Sequence, residues 1–260
     1  MSRKTERKKE ILRMLATGGN IKIISMVNEL NVSEATIRRT LSEMEVEGKV
    51  IRTHGGAQLF TKRSHEYIFE NRFSTNLNQK KAIAKSAANL LDSNEIIFLD
   101  SGTTVFFTAE CIARLIEANQ IRGLRVITNS VAVAEVLGTS CEVTILGGKV
   151  RLSRKDVYGP LVEKNIKLFR ANKAFIGADG ITLKDGIMTT DEFTSKIDED
   201  MIERSDEVIL LVDSSKFGSP SFVSYAALDA IDTLVTDTDL DTGVRKEYED
   251  LGIKLILAEL

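Results

Sequence analysis

Apolar side chains recur at helical spacing along the first 46 residues, in three short groups. Ile11, Leu12 and Leu15 make the first, Ile23, Ile24, Met26, Val27 and Leu30 the second, and Ile37, Leu41 and Met44 the third. Steps of three, four and seven place each group on one side of a helix. Ser33 is suited to cap the third helix through its hydroxyl, and Glu34 suits the positive end of its first turn. So few residues separate the second and third helices that the two must cross steeply, as in a helix-turn-helix. Gly48 then stops the third helix. Residues 49–53, His54-Gly55-Gly56 and residues 57–60 read as strand, tight turn and strand, a wing.

Past residue 80 the pattern changes. A helix over 80–91, with Ile83, Ala84, Ala87, Leu90 and Leu91 on one side, leads to short apolar runs at 96–99, 124–128, 142–146, 173–177, 207–212, 232–236 and 253–257. Amphipathic helical stretches lie between most of them. Strands alternating with helices predict a mostly parallel sheet covered on both faces. Residues 61–79 are polar with scattered aromatics and no period, and are expected to form a partly packed linker that continues from the wing into the second domain. The predicted class is α/β, with a winged helix-turn-helix domain over 1–60, the linker 61–79 and a larger α/β domain over 80–260.

Charge sharpens the first half of this picture. The net charge of −3 alone argues against nucleic acid, but residues 1–63 hold 13 basic and 7 acidic side chains, and the rest holds 22 and 31. Basic charge therefore gathers on the helix-turn-helix, as attraction to double-stranded DNA requires. Ser33, Thr36, Arg38 and Arg39 near the start of the third helix are placed for a major groove, with Arg52 and His54 of the wing near the phosphate backbone. Two histidines, and two cysteines far apart at Cys111 and Cys141, form no zinc pattern, so no metal and no cofactor are expected. Free thiols, no long apolar run and a basic start without an apolar segment predict a cytoplasmic protein that does not enter membranes.

In parallel α/β sheets, ligands bind beyond the carboxyl ends of the strands. Here those ends carry Asp100-Ser101-Gly102-Thr103-Thr104, Asn129-Ser130, Gly147-Gly148, Asp179-Gly180 and, after 207–212, Asp213 to Gly218 with Lys216. Taken singly, most such residues cap helices or make turns. Five together favour a polyol or sugar-phosphate pocket.

Thr36-Ile37-Arg38-Arg39 followed by a wing ending in His54-Gly55-Gly56-Ala57 resembles the DNA-binding domain of DeoR-type bacterial transcriptional regulators. FLDSGTT, VITNS, LGG, GP, FIGADGI and LLVDSSKFG follow in the order of that family's effector domain, so the resemblance spans nearly the whole chain. It implies an effector domain similar to the ribose-5-phosphate isomerase fold that senses a phosphorylated sugar. Ser101 to Thr104 and Lys216 would hold the phosphate, with Asp100, Asn129 and Asp179 near the sugar. The expected role is repressor of a carbohydrate-use operon, and reading a symmetric operator implies a homo-oligomer, dimer or tetramer; the sequence does not separate repressor from activator. Two departures stand out: Thr40 where the family usually has Asp, and Asp198-Glu199 where it commonly has Lys-Arg. The competing reading is a sugar-phosphate isomerase with an accessory DNA-binding module, using Asp100, Asp179, Asp191 or Glu192 as base. Against it, the isomerase pattern Asp-Gly-Ala-Asp-Glu is met here by Ile176-Gly177-Ala178-Asp179-Gly180, which lacks the first Asp and the Glu.

Overall fold

The computed structural model describes residues 3–18, 21–46, 49–53, 55–59 and 68–260. They divide into two compact units, with the boundary between Tyr67 and Ile68.

The first unit runs α1 (Arg3–Gly18), β1 (Ile21–Lys22), α2 (Ile23–Leu30), α3 (Glu34–Val46), β2 (Val50–Thr53) and β3 (Gly56–Leu59). The expected stripes pack into one core, in which Ile11, Leu15, Ile23, Met26, Ile37, Leu41 and Met44 join Val50 and Ala57. Ile24 is a correction: it is 59% exposed. One step along a helix turns about 100°, so with Ile23 facing inward its neighbour faces out. Asn31 ends α2 in the left-handed region (φ 50°), which asparagine tolerates and which makes the abrupt turn into α3. β1, β3 and β2 form an antiparallel sheet, with Thr53 opposite Gly56. That two-residue turn needs Gly55 at φ 82°. His54, Gly48 and the side chain of Arg52 lie outside the described residues.

The second unit begins with α4 (Phe69–Ser74) and α5 (Leu77–Ala88), followed by β4 (Ile96–Leu99), α6 (Thr103–Glu117), β5 (Arg125–Thr128), α7 (Val131–Leu137) and β6 (Glu142–Ile145). Next come β7 (Lys149–Arg151), β8 (Asp156–Tyr158), α8 (Pro160–Ile166), β9 (Ala171–Gly177), β10 (Gly180–Thr182), β11 (Gly186–Thr189) and α9 (Glu192–Glu203). The chain finishes with β12 (Ser205–Leu211), β13 (Val223–Ala226), β14 (Thr233–Asp237), α10 (Thr242–Glu249) and β15 (Lys254–Ala258).

Seven of these strands form a parallel sheet in the order β15-β14-β12-β9-β4-β5-β6. All seven expected strands are in it. Each face is covered by its own core, because side chains alternate along every strand. Phe98, Ile127 and Ile176 point to one core, and Ile97, Leu99, Val126 and Phe175 to the other. From β4 the chain moves outward through β5 and β6, and then returns to β9 and moves the other way. The boundary of β4 and β9 is therefore the switch point, where the following loops part and leave a crevice.

Two parts of the second unit differ from expectation. Residues 68–79 are not linker: α4 and the first turn of α5 occupy them, and residues 60–67 lie outside the described residues. The scattered aromatics there are a local core, in which the rings of Phe69 and Phe73 stack with Phe106 and Phe107 at 4.8–6.1 Å. Their partners lie more than thirty residues onward, so no local period marks them. The antiparallel sheet β10-β11-β13 and the β7-β8 hairpin were also absent from the sequence reading. Strands of three or four residues with mixed polarity carry too little pattern.

Burial of Phe69 yields a test of the revised boundary. Phe69→Ala should destabilise the second unit by about 3 kcal/mol in a denaturant titration, as expected for a buried aromatic. A loss under about 1 kcal/mol would mean that the segment behaves as a linker after all.

Candidate functional site

α3 is held as a rigid unit by its cap. Ser33 Oγ accepts from the Thr36 amide at 3.3 Å and lies 2.8 Å from Thr36 Oγ1, so both hydroxyls are occupied at the helix start. Arg38 and Arg39 are exposed. Nε and Nη2 of Arg38 reach the same oxygen of Glu34, at 2.8 and 2.6 Å. A solvent-exposed pair one turn apart contributes only about 0.3–0.5 kcal/mol, so a phosphate or guanine can displace Glu34. Thr40 is 3% exposed and its hydroxyl donates to the Thr36 carbonyl at 2.8 Å. The first departure from the family pattern thus lies on the packed side of the helix, away from the basic face.

The switch point of the second unit is built around Asp100. One carboxylate oxygen accepts from the Ser101 amide and, at 3.3 Å, from the Ser101 hydroxyl. The other accepts from the amides of Gly102 at 3.2 Å and Gly177 at 3.3 Å. The end of β4 is thereby tied to the end of β9. A Cβ on Gly102 would lie 3.2 Å from that carboxylate, so the residue must stay small. Thr103 opens α6 beside it, and Ser101, Thr103 and Thr104 are buried. Asp198 of α9 is buried beside Asp100, close enough for each carboxyl to shift the other. Burial first, and then the charge of Asp100, pushes the Asp198 carboxyl well above the usual range. Burial also raises Asp100, against the pull of its backbone donors. Tyr225 closes the group by donating to the Gly177 carbonyl at 2.5 Å.

Beside this acid pair sits a cluster of the opposite kind. Asp179, just past β9, accepts from the Thr190 amide at 3.0 Å and the Thr190 hydroxyl at 2.8 Å, and pairs with Arg72 at 3.3 Å. Burial would raise its carboxyl, but Arg72, Lys216 and the Thr190 donors outweigh that and hold it below the ordinary value. Lys216 is lowered, by burial first and then by Arg72, while Asp213 and Asp179 support its charge. Lys80 of α5 donates to the Arg72 carbonyl, and burial brings its pKa down to about 8. Three cations thus meet two carboxylates, with Asn76 fixing Asp213 through a 2.9 Å hydrogen bond. Asp100, Ser101, Gly102, Asp179 and Lys216, all expected at strand ends, lie at the switch point. Arg72, Lys80 and Tyr225 were missed, since their partners here come from elements distant in sequence, and Asp198 was marked only as a departure from the family pattern.

The remaining expected residues are more dispersed. Asn129 is buried one strand over, its amide nitrogen donating to the Val157 carbonyl at 3.3 Å. Ser130 caps α7 by accepting from the Val133 amide at 3.2 Å. Gly147 and Gly148 follow β6, at the sheet edge, two strands from β4. A Cβ on Gly148 would come within 2.7 Å of the Tyr158 carbonyl, so this glycine serves a close backbone approach. Asp191 caps α9 and pairs with Arg151 at 2.8 Å. Arg151 also holds Asp156, with Arg154 3.5 Å from the same carboxylate. Among the described residues, no three His, Cys, Asp or Glu side chains gather to hold a metal.

Comparison with known proteins agrees with both halves. The model of the DeoR-like helix-turn-helix domain matches residues 7–63, and that of the DeoR C terminal sensor domain matches residues 75–238. The HTH-type transcriptional regulator GlpR of Haloferax volcanii is 33% identical over 252 residues, 96% of each chain. The HTH-type transcriptional repressor GlcR of Bacillus subtilis is 33% identical, over 98% of this chain and 96% of that one. A lactose phosphotransferase system repressor of Lactococcus lactis is 34% identical, over 94% and 95%. Among solved structures, a D-ribose-5-phosphate isomerase in complex with phospho-erythronic acid aligns with 54% of each chain at 15% identity and a TM-score of 0.42. With both domain models matched and relatives aligned from end to end, the chain belongs to the DeoR family of helix-turn-helix transcriptional regulators.

Proposed function

We propose that the protein is a repressor of a carbohydrate-use operon, released or recruited by a phosphorylated sugar bound at the switch point of the second unit. The observation that carries this reading is the partly buried cluster of Arg72, Lys80 and Lys216 against Asp179 and Asp213. Its surplus positive charge comes from α4, α5 and the segment after β12, while Ser101 to Thr104 lead into α6, whose first amides favour an anion. Relatives named as repressors, one of a sugar phosphotransferase system, point the same way. Asn129, Asp100 and Asp179 would face the sugar. Ser130, Gly147 and Gly148 would shape the surrounding loops. Arg38 and Arg39, with Arg52 and His54 of the wing, would contact operator DNA in the cytoplasm. Symmetric operators place half-sites about 34–36 Å apart or at multiples of it, so the protein would act as a dimer or tetramer.

The isomerase reading is the weaker one. A base must be free to take a proton, and Asp179 is held ionised by Arg72 and Lys216, which makes it a poor base. Gly180 stands where the isomerase pattern has Glu.

The direct experiment is a titration of the full-length protein on DNA flanking its own gene and on scrambled DNA, with and without a panel of sugar phosphates. Tight binding to the native fragment alone, altered by one sugar phosphate, supports the reading. Weak binding equal on both DNAs would end it. Arg38→Ala should weaken operator binding by ~1–3 kcal/mol, roughly 5- to 150-fold, and leave sugar-phosphate affinity unchanged. Equal loss of both would contradict the division of labour.

Protonation gives a second test. A folded pKa of about 8 for Lys80, below the ordinary lysine value, means the folded state sheds this proton before the unfolded one does. The Lys80 contribution to stability is therefore unfavourable at low pH and improves as pH rises above about 8. A bound dianionic phosphate should restore the charged form, so binding above pH 8 should take up protons. Calorimetry in buffers of different ionisation enthalpy should show that uptake, and Lys80→Met should reduce it. Binding heats independent of buffer would place the phosphate elsewhere.

A further inference from the structure

Phosphate recognition leaves the acid pair unexplained. Asp100 and Asp198 are 4% and 1% exposed and lie side by side, so they cannot both ionise unless positive charge reaches them. Three backbone amides converge on Asp100, which favours its carboxylate and leaves the proton with Asp198. Arg154 faces Asp198, but it is already engaged by Asp156 and by the Thr194 hydroxyl at 3.3 Å. The Oδ1 atom of Asp198 is buried and has no hydrogen-bond partner.

An independent observation lies on the neighbouring strand. Asn129 is 1% exposed, and its Oδ1 also has no partner. Leu99 and Thr128 are register partners, so Asp100 and Asn129 leave adjacent strands side by side. Two residues earlier, Phe98 and Ile127 belong to the same core as Ile197 and Met201 of α9. Side-chain alternation thus directs Asp100 and Asn129 to the sheet face that α9 covers, the face that holds Asp198. Buried acceptors left without donors are costly, and their presence together calls for a donor from outside the chain.

An ammonium group answers both demands, because it brings three N–H donors, no acceptor and one positive charge. A hydroxyl would bring one donor and leave the paired acids as they are. A metal ion fits less well, since no third acidic, His or Cys ligand gathers with the pair among the described residues. We infer that the sensed sugar phosphate carries a protonated amine, which donates to Asp198 and Asn129 while its phosphate lies among Arg72, Lys80 and Lys216. This rests on the sugar-phosphate reading of the same site. Asp198 is one of the two departures from the family pattern, so the preference belongs to this chain rather than to the family as a whole.

The test is calorimetric titration of the full-length protein, near neutral pH, with glucosamine 6-phosphate and galactosamine 6-phosphate, each beside the matching hexose phosphate. At least one amine should bind roughly tenfold or more tightly than its hydroxyl counterpart. Asp198→Asn keeps the side-chain shape and removes the acid; it should erase that difference while thermal unfolding confirms an intact fold. Asp198→Lys should reverse the preference. Equal affinity for each amine and its counterpart, or a preference that survives in Asp198→Asn, overturns the inference and leaves the sugar-phosphate reading standing. Failure of every sugar phosphate to bind would remove both.

Discussion

The carboxylate of Asp100 joins two strand ends that the topology would otherwise separate. β4 leads to one side of the sheet and β9 to the other, and their loops part at that boundary. Amides of Ser101, Gly102 and Gly177 all turn toward the one carboxylate, so the start of α6 and the end of β9 keep a fixed relation. Everything else in the crevice is placed by reference to that joint. Asp179 lies two residues beyond Gly177, Tyr225 donates to the Gly177 carbonyl, and Asp198 packs against Asp100 from α9. A buried carboxylate is expensive unless its lone pairs are satisfied, and here backbone donors satisfy most of them.

The crevice is divided by charge. On one side Arg72, Lys80 and Lys216 outnumber their acidic partners, and on the other Asp100 and Asp198 lie side by side with both carboxyls raised by burial. Such opposed environments are costly in an empty site and are relieved by a ligand with complementary groups at its two ends. A ligand of this sort can control DNA binding only through a difference in its affinity for the competent and incompetent states. Coupling in regulators is typically about 1–3 kcal/mol, so modest differences in how the loops close suffice.

The sheet was legible because a buried parallel strand is a short unbroken apolar run, and IIFL, KAFIG and EVILLV have no other sensible place. Loop chemistry at their ends was legible for the same reason: the topology sends Asp100, Asp179 and Lys216 to one edge. Residues whose role comes from distant partners were not. Arg72 lies in a stretch that reads as linker, and its carboxylate is Asp179. Asp198 lies in an acidic run whose exposure the sequence does not fix, and α9 buries it. Gly148 has a packing role that its sequence context does not announce, because the Tyr158 carbonyl passes within 2.7 Å of where its Cβ would stand.

The central claim is that occupation of this crevice and DNA binding by α3 are one linked equilibrium. Linkage requires the effect to be mutual. The measurement that tests it most directly is the affinity of the full-length protein for its sugar phosphate, determined with and without saturating operator DNA. The account predicts that operator changes that affinity by the same factor by which the sugar phosphate changes operator affinity. A sugar-phosphate affinity indifferent to operator would show that the two units act separately and would contradict the account.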